Sequence, residues 1–222
     1  MHKVKLIGIT QPVEDPRVPS APKTPEDLVA YCARVSNPAN QNNPDSKGLL
    51  KYLVRNKHWS PYEMVNLVIE IETTRDIARQ ILRHRSFAFQ EFSQRYAEVD
   101  NSSFSIREGR LQDHKNRQNS IPTSNTLLLL EWEAHQKIAL EGSQVAYRWA
   151  IANGLAKEVA RSVLPEGMTN STMYMNGTLR SWIHYCELRM GNGTQKEHRE
   201  VATSCWEIIT KEFPVLKDLL VE

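Results

Sequence analysis

The segment RHRSFAFQEFSQRY, residues 83–96, places three arginines, a histidine and a glutamate within fourteen residues. Aromatic side chains are interleaved with them: Phe87, Phe89, Phe92 and Tyr96. Ordering long charged side chains costs conformational entropy, and removing them from water costs solvation free energy. Guanidinium groups bind phosphate and carboxylate in a two-pronged geometry, so the segment indicates a site for an anionic ligand.

A helix is predicted directly before this segment. Its apolar face is formed by Ile77, Ala78, Ile81 and Leu82. Arg75, Arg79 and Arg83 recur every four residues on the other side. We interpret Arg75 and Arg79 as solvated helix surface and Arg83 as the start of the site. Since Arg85 would turn onto the apolar side of a longer helix, we expect the helix to end near His84.

The chain beyond His84 is expected to be extended. Alternate side chains of an extended chain face the same side. This puts Glu91, Ser93 and Arg95 on one edge, and it puts Gln94 on the other. Three such groups on one edge would suit a single phosphate-bearing ligand.

Hydrophobic periodicity in the rest of the chain predicts an α+β fold, a single domain over residues 1–222 with a small mixed or antiparallel sheet packed against several long helices. Strands are expected near residues 3–10, 65–71 and 172–175. Helices are expected at about 24–36, 49–57, 124–152, 156–164, 179–190 and 195–213. A polar insert, about residues 100–122, has few apolar anchors and is interpreted as a lid, a subunit-contact arm or a poorly ordered segment.

Composition excludes several functional classes. The formal net charge of +2 disfavours a general nucleic-acid binder, including a recognition helix built on the arginines. G-x-G-x-x-G and Walker A motifs are absent, and no metal site is expected, because the histidines and the three cysteines show no ligand spacing. Without a signal-peptide core or a long apolar run, the protein is expected to be soluble and cytoplasmic.

The helix predicted at residues 179–190 has two functional faces. Arg180, His184 and Glu187 share one face. Arg189 lies within about sixty degrees of the opposite face, which carries Trp182 and Cys186. An arginine that continues an apolar stripe must pair with an acid or contact a ligand.

Four segments, in order, resemble the flavin-dependent thymidylate synthase family. Its signature, R-H-R-x-x-S-x-N-x-x-S, is similar to residues 83–93, where Ala88 and Gln90 stand in place of the usual Ser and Asn. The other segments are HWSPYE at 58–63, EVAR at 158–161 followed by Leu164-Pro165, and residues 180–189 with Glu197-His198 beyond them. The resemblance covers roughly residues 50–200.

The resemblance implies an enzyme that converts dUMP to dTMP. The one-carbon donor would be 5,10-methylenetetrahydrofolate, the cofactor FAD and the reductant NADPH. The implied assembly is a homotetramer whose active sites are shared between subunits, with no role for nucleic acid or membrane.

The resemblance also implies roles for individual residues. It assigns dUMP to Gln80, Arg83, Glu91, Ser93, Gln94, Arg95, Arg161 and Arg189. It assigns FAD to His58, Ser60, Arg83, His84, Arg85, Glu91, Asn176, Thr178, Arg180 and His184, although Thr178 stands where the family usually has Asn. Arg189 is the expected catalytic residue, because a cation near uracil N3 and O2 would stabilise the anion that activates C5.

Three alternatives remain open at this point. Cys186 shares a face with Arg189 and is a rival nucleophile, as in flavin-free thymidylate synthases. The arginines would also suit a non-catalytic nucleotide- or RNA-binding regulator. The third alternative is a different flavin- and folate-dependent uracil methyltransferase.

Glu158 and Arg161 lie three residues apart on one predicted helix. A local ion pair explains this spacing as well as a role in a binding site does.

Overall fold

The fold is built on two antiparallel sheets, one of four strands and one of two. The computed structural model describes residues 2–13, 21–100, 103–217 and 219. Its strands are β1 (Lys3–Ile9), β2 (Asn66–Thr74), β3 (Ala88–Glu91), β4 (Arg110–Gln112), β5 (Ser120–Pro122) and β6 (Asn170–Thr178). The larger sheet has the order β1-β2-β6-β3, and all its neighbours are antiparallel. The predicted α+β class is confirmed.

Seven helices accompany the strands in the described parts of the chain. They are α1 (Pro25–Ala33), α2 (Lys47–Arg55), α3 (Arg75–Ile81), α4 (Thr126–Ala152), α5 (Lys157–Ala160), α6 (Leu179–Met190) and α7 (Lys196–Glu212). Thr24 and Asp27 form the reciprocal cap that starts α1, as the sequence indicates. None of these helices is long and apolar enough to cross a bilayer.

The main core lies between the larger sheet and the helices on one of its faces. Leu67, Ile69 and Ile71 alternate inward along β2, and Met173 and Met175 do so along β6. Helices α3, α6 and α7 cover this face. The buried apolar surface of such side chains contributes roughly 1.5–3 kcal/mol each to stability.

The segment after α3 departs from the prediction in two ways. The helix ends at Ile81, three residues before His84. Strand β3 confirms an extended chain only as far as Glu91, because Ser93 O accepts hydrogen bonds from the backbone N–H groups of Tyr96 and Ala97, both at 3.1 Å. This turn takes Ser93 and Arg95 off the strand edge of Glu91, so the predicted single edge is wrong.

The polar insert contains an ordered hairpin of β4 and β5. Arg110 joins the hairpin to α7 through an ion pair with Glu197 at 2.7 Å, and Lys196 pairs with Glu108. These contacts attach the hairpin to α7, and the three interpretations of the insert (lid, subunit-contact arm or poorly ordered segment) stay predictions. Asn101 and Ser102 lie outside the described residues.

Gly177 in β6 leaves space for the ring of Phe87. That ring packs against Trp182 and Tyr185, with ring centroids 4.9 and 6.0 Å away. A Cβ atom on Gly177 would lie 2.3 Å from Phe87 Cδ1. Because neighbouring rings confine Phe87, the ring cannot move aside without disturbing the core.

We therefore expect Gly177→Ala to lower the free energy of unfolding by about 1–3 kcal/mol through overpacking. Gly142→Ala is the matched control, since a Cβ there meets nothing within 4 Å and Ala favours the helix. Thermal unfolding of both variants measures the difference. Equal melting temperatures for Gly177→Ala and the wild type would contradict this account of Phe87.

Candidate active site

The predicted site residues fall into three groups on this chain. The first group lies between the end of α3 and α6 and contains Gln80, His84 and Arg189. The second follows β3, where residues 91–95 lie near α5. The third joins the first half of α6 to the 3-10 turn at Ser60–Glu63.

Arg189 is held by a neutral histidine in the first group. Its Nε donates to Nε2 of His84 across 2.9 Å. Burial, with a further contribution from the positive charge of Arg189, lowers the pKa of His84 to about 4. The imidazole is thus neutral near pH 7, and its Nε2 must be the acceptor. Arg189 was predicted to pair with an acid or a ligand, and its partner within the described chain is an uncharged ring.

A second histidine lies behind the first. His198 is fully buried, with Nδ1 3.3 Å from Gln80 Oε1 and Nε2 3.2 Å from the Tyr185 hydroxyl. Burial, then the charge of Arg189 and the proximity of His84, lower the pKa of His198 to about 3. No sequence pattern identified Tyr185 as a site residue, and His198 entered only through the resemblance.

Glu91 in the second group is fixed by two neighbours. It accepts a hydrogen bond from Ser171 Oγ at 2.7 Å and forms an ion pair with Arg75 at 3.3 Å. The Arg75 side chain is only 12% exposed, so the prediction that it is solvated is wrong. Arg79 is 57% exposed and pairs with Glu166, which confirms the prediction for that residue.

Arg95 extends from the turn after β3 towards α5. It forms an ion pair with Glu158 at 3.2 Å. In the sequence Glu158 was a candidate partner of Arg161, whereas in the structure it pairs with Arg95. Arg161 itself is half-buried directly after α5.

One buried donor in this second group has no acceptor. Gln94 is 4% exposed, and its Nε2 has no hydrogen-bond partner within the described chain. Buried donors without acceptors are rare in native proteins. This donor therefore indicates a place where a ligand would supply the acceptor.

The third group faces solvent. The ring of His184 lies 5.0 Å from that of Trp59, and Arg180 pairs with Glu63. His58 and Ser60, on either side of Trp59 in the sequence, are exposed, and Asn176 is exposed on β6. Thr178 has a structural task, since its Oγ1 accepts from Ser181 N at 3.1 Å and caps α6.

The signature arginines Arg83 and Arg85 project from the loop after α3. Both are exposed, and neither guanidinium group has a hydrogen-bond or ion-pair partner among residues 2–13, 21–100, 103–217 and 219. Their positive charges are therefore available to an anion.

One chain does not bring all the predicted nucleotide residues together. Arg75 at the start of α3 contacts Glu91, whereas Gln80 near its end contacts His198. No hydrogen bond or ion pair in the described structure joins the Gln80–Arg189 group to the Glu91–Arg95 group. The two groups occupy opposite ends of one short helix.

The environment of Cys186 argues against a thiol nucleophile. The residue is fully buried, and its Sγ lies 3.6 Å from Ala202 O. Burial raises the pKa of this thiol well above its usual value. A nucleophilic cysteine needs access to substrate and a lowered pKa, so this rival prediction is not supported.

Comparisons with known proteins identify the family of the chain. Residues 17–215 match the family model described as thymidylate synthase complementing protein. A probable flavin-dependent thymidylate synthase of Paramecium bursaria Chlorella virus 1 is 49% identical over 217 residues, 97% of each chain. A flavin-dependent thymidylate synthase of Synechocystis sp. is 46% identical over 213 residues, 96% of each chain.

A solved structure supports the same assignment. The UMP/dUMP methylase PolB from Streptomyces cacaoi, bound with 5-Br UMP, superposes with a TM-score of 0.76 at 25% identity, over 97% of this chain and 91% of that one. The resemblance inferred from the sequence is confirmed. The chain belongs to the thymidylate synthase complementing protein family, the family of the flavin-dependent thymidylate synthases.

Proposed function

We propose that the protein is an FAD-dependent thymidylate synthase. It methylates dUMP to dTMP, with 5,10-methylenetetrahydrofolate as the one-carbon donor and NADPH as the reductant. Family membership supports the reaction class, and the two relatives above carry that activity in their names. The observation that carries the proposal is that Arg189 is held by an uncharged histidine, His84.

Arg189 is half-buried, and no carboxylate among the described residues forms an ion pair with it. Arg107 and Arg110, by contrast, each pair with Glu197, at 3.2 and 2.7 Å. The partner of Arg189 is the neutral ring of His84. A charge held in this way can stabilise an anion that develops next to it.

The chemistry of uracil supplies such an anion. Loss of the N3 proton to solvent spreads negative charge over N3 and O2 and increases electron density at C5, the carbon that is methylated. Arg189 would stabilise that anion, while His84 fixes the direction of its guanidinium group. Ionisation of the substrate by a positioned cation thereby replaces attack by a protein thiol.

The second group suits the phosphate of dUMP. Arg95 and Arg161 supply positive charge and Ser93 supplies a hydroxyl. Gln94 supplies an amide donor that has no partner among the described residues. Arg95 is tied to Glu158 only by an exposed ion pair, which contributes little and is easily exchanged for a phosphate.

The residues present also fit a flavin dinucleotide. Arg83 and Arg85 offer unpaired cations for a pyrophosphate, while His58, Ser60, Arg180 and His184 form a polar rim beside Trp59. When bound, FAD would supply the redox chemistry of the reductive methylation. The protein's task is to hold the nucleotide beside it and to exclude competing reactions.

We further propose that complete sites form between subunits of a homotetramer. Separation of the Gln80–Arg189 group from the Glu91–Arg95 group supports this, because each site would take one group from each of two chains. An apolar stripe on α4 supports it too. Its five members are 60–66% exposed and lie on one face: Leu127, Leu130, Ile138, Val145 and Trp149. Such stripes mark contact surfaces.

UMP is a second candidate substrate. The structural neighbour is named a UMP/dUMP methylase, so the same fold accepts both nucleotides in that protein. Competition between dUMP and UMP in one assay distinguishes a thymidylate synthase from a broader uracil nucleotide methylase. The non-catalytic regulator has no comparable support.

The purified protein is expected to be yellow and to show a flavin absorption band. With the folate donor present, dUMP should produce dTMP in step with oxidation of NADPH. A sample without folate is the control for uncoupled oxidation. A colourless protein that remains free of flavin after incubation with FAD would refute the proposed function.

Arg189→Ala should reduce methylation by about 100-fold or more, because it removes the group that stabilises the uracil anion. Much of the flavin should remain bound, since Arg189 is assigned to the nucleotide. Single-turnover formation of dTMP measures the first effect and flavin absorbance the second. Arg55→Ala, an exposed arginine at the end of α2, is the control. Unchanged turnover in Arg189→Ala would remove Arg189 from its catalytic role.

Arg95→Ala should weaken dUMP binding by about 10- to 100-fold, as expected for loss of a charged hydrogen bond. The affinity for deoxyuridine, which has no phosphate, should be low in the wild type and unaffected by the substitution. Calorimetry with both ligands tests this. Equal wild-type affinity for deoxyuridine and dUMP would show that the phosphate site lies elsewhere.

A further inference from the structure

A continuous chain of hydrogen bonds runs from the core to Glu197 at the start of α7 through the Gln80 side chain. It begins with Tyr185 OH and His198 Nε2 at 3.2 Å, and His198 Nδ1 lies 3.3 Å from Gln80 Oε1. Gln80 Nε2 donates to Gln195 Oε1 at 2.8 Å. Gln195 Nε2 then donates to Glu197 Oε2 at 3.0 Å.

Glu197, the last member of the chain, can only accept hydrogen bonds. Burial alone would raise the pKa of Glu197, but hydrogen bonds from its own backbone N–H and from Arg110, the charge of Arg107 and the Gln195 amide together lower it. Glu197 is therefore a carboxylate. A carboxylate accepts hydrogen bonds and cannot donate them.

This carboxylate fixes the direction of each preceding bond. Gln195 must turn its NH₂ group to Glu197, which leaves its carbonyl oxygen for Gln80. Gln80 must then donate from its NH₂ group and turn its carbonyl oxygen to His198. Consequently His198 carries its proton on Nδ1, and its Nε2 accepts the hydroxyl proton of Tyr185.

We infer that His198 is a positioning residue for Gln80, and that Glu197 sets the direction in which the Gln80 amide points. A reversed Gln80 amide would bring two carbonyl oxygens, both acceptors, together at Gln195. One N–H and one oxygen lone pair of Gln80 thus remain outside the chain with fixed orientation. The inference rests on the proposed function, in which Gln80 contacts dUMP.

The same chain borders the catalytic arginine. The ring of Tyr185 lies 4.9 Å from that of His84, the residue that holds Arg189. Donation by Tyr185 towards His198 keeps its hydroxyl proton away from His84. Both nucleotide-contacting side chains of this group, Gln80 and Arg189, are therefore oriented by neutral histidines.

Two variants of His198 separate positioning from packing. The amide nitrogen of Asn can occupy the place of Nδ1, so His198→Asn should keep the bond to Gln80 and lose that to Tyr185. The amide of Gln instead reaches the place of Nε2, so His198→Gln should keep the Tyr185 bond and lose that to Gln80. Both variants remove the ring from the same buried position.

With the flavin-loaded protein, calorimetry should give His198→Asn a dUMP dissociation constant within about threefold of the wild type. His198→Gln should weaken binding by about tenfold, the upper range for one neutral hydrogen bond. Melting temperature and bound flavin establish that each variant is folded. Equal dissociation constants for the two folded variants would overturn the inference, whether both are weakened or neither.

The role of Glu197 is tested by a second pair. Glu197→Gln removes the fixed acceptor and should weaken dUMP binding by about threefold to tenfold. Glu108→Gln also removes an ion pair of Arg110, 3.1 Å long, but leaves the amide chain intact and should bind dUMP like the wild type. Equal losses in both variants would show that only the ion pairs matter.

A neutron crystal structure of the wild type gives a result that is independent of activity. The deuteron of His198 is expected on Nδ1, and a deuteron on Nε2 alone would overturn the inferred direction. If the wild type bound no dUMP, the proposed function would fail, and the position of this deuteron would still decide the direction of the chain.

Discussion

The direct passage of β6 into α6 is the constraint on which the site depends. Strand β6 is paired on both sides, with β2 and β3, so its position is fixed by two ladders of hydrogen bonds. Thr178 then starts α6 without an intervening loop and caps it through Ser181. Trp182 and its buried neighbours hold the helix against the sheet. The rotation of Arg180, His184 and Arg189 about the helix axis is thereby set by the sheet.

Charge is distributed unevenly around this scaffold. The arginines that fasten the insert hairpin, Arg107 and Arg110, are paired with carboxylates. Arg189 is held by an imidazole whose burial keeps it neutral. A carboxylate in the place of His84 would fix Arg189 equally well but would also cancel its charge. A neutral acceptor gives orientation and retains the electrostatic effect on a bound anion.

The insert hairpin has a structural connection to the same region. Two of its ion pairs, those of Arg107 and Arg110, meet at Glu197, and Glu197 is the end of the amide chain that reaches Gln80. A segment with few apolar side chains is therefore attached to the fold largely through charged residues of α7. Its attachment places it beside the residues proposed to bind the nucleotide.

The sequence by itself determined the fold class, the limits of α6 and the membership of the family. Those properties follow from short-range periodicity, capping residues and the order of the motifs, all of which can be identified from neighbouring residues in the sequence. The sequence did not determine the burial of Arg75, the turn after Glu91 or the partner of Arg95, and the single edge predicted for residues 91–95 was wrong.

Only the tertiary structure decided those points and the hydrogen-bond chain through His198. They depend on contacts between residues far apart in sequence, such as Gln80 with His198 and Arg75 with Glu91. The direction of the hydrogen bonds depends further on a carboxylate that contacts only one end of the chain. No local pattern records either kind of contact, because both arise when α3, α6 and α7 pack against one sheet.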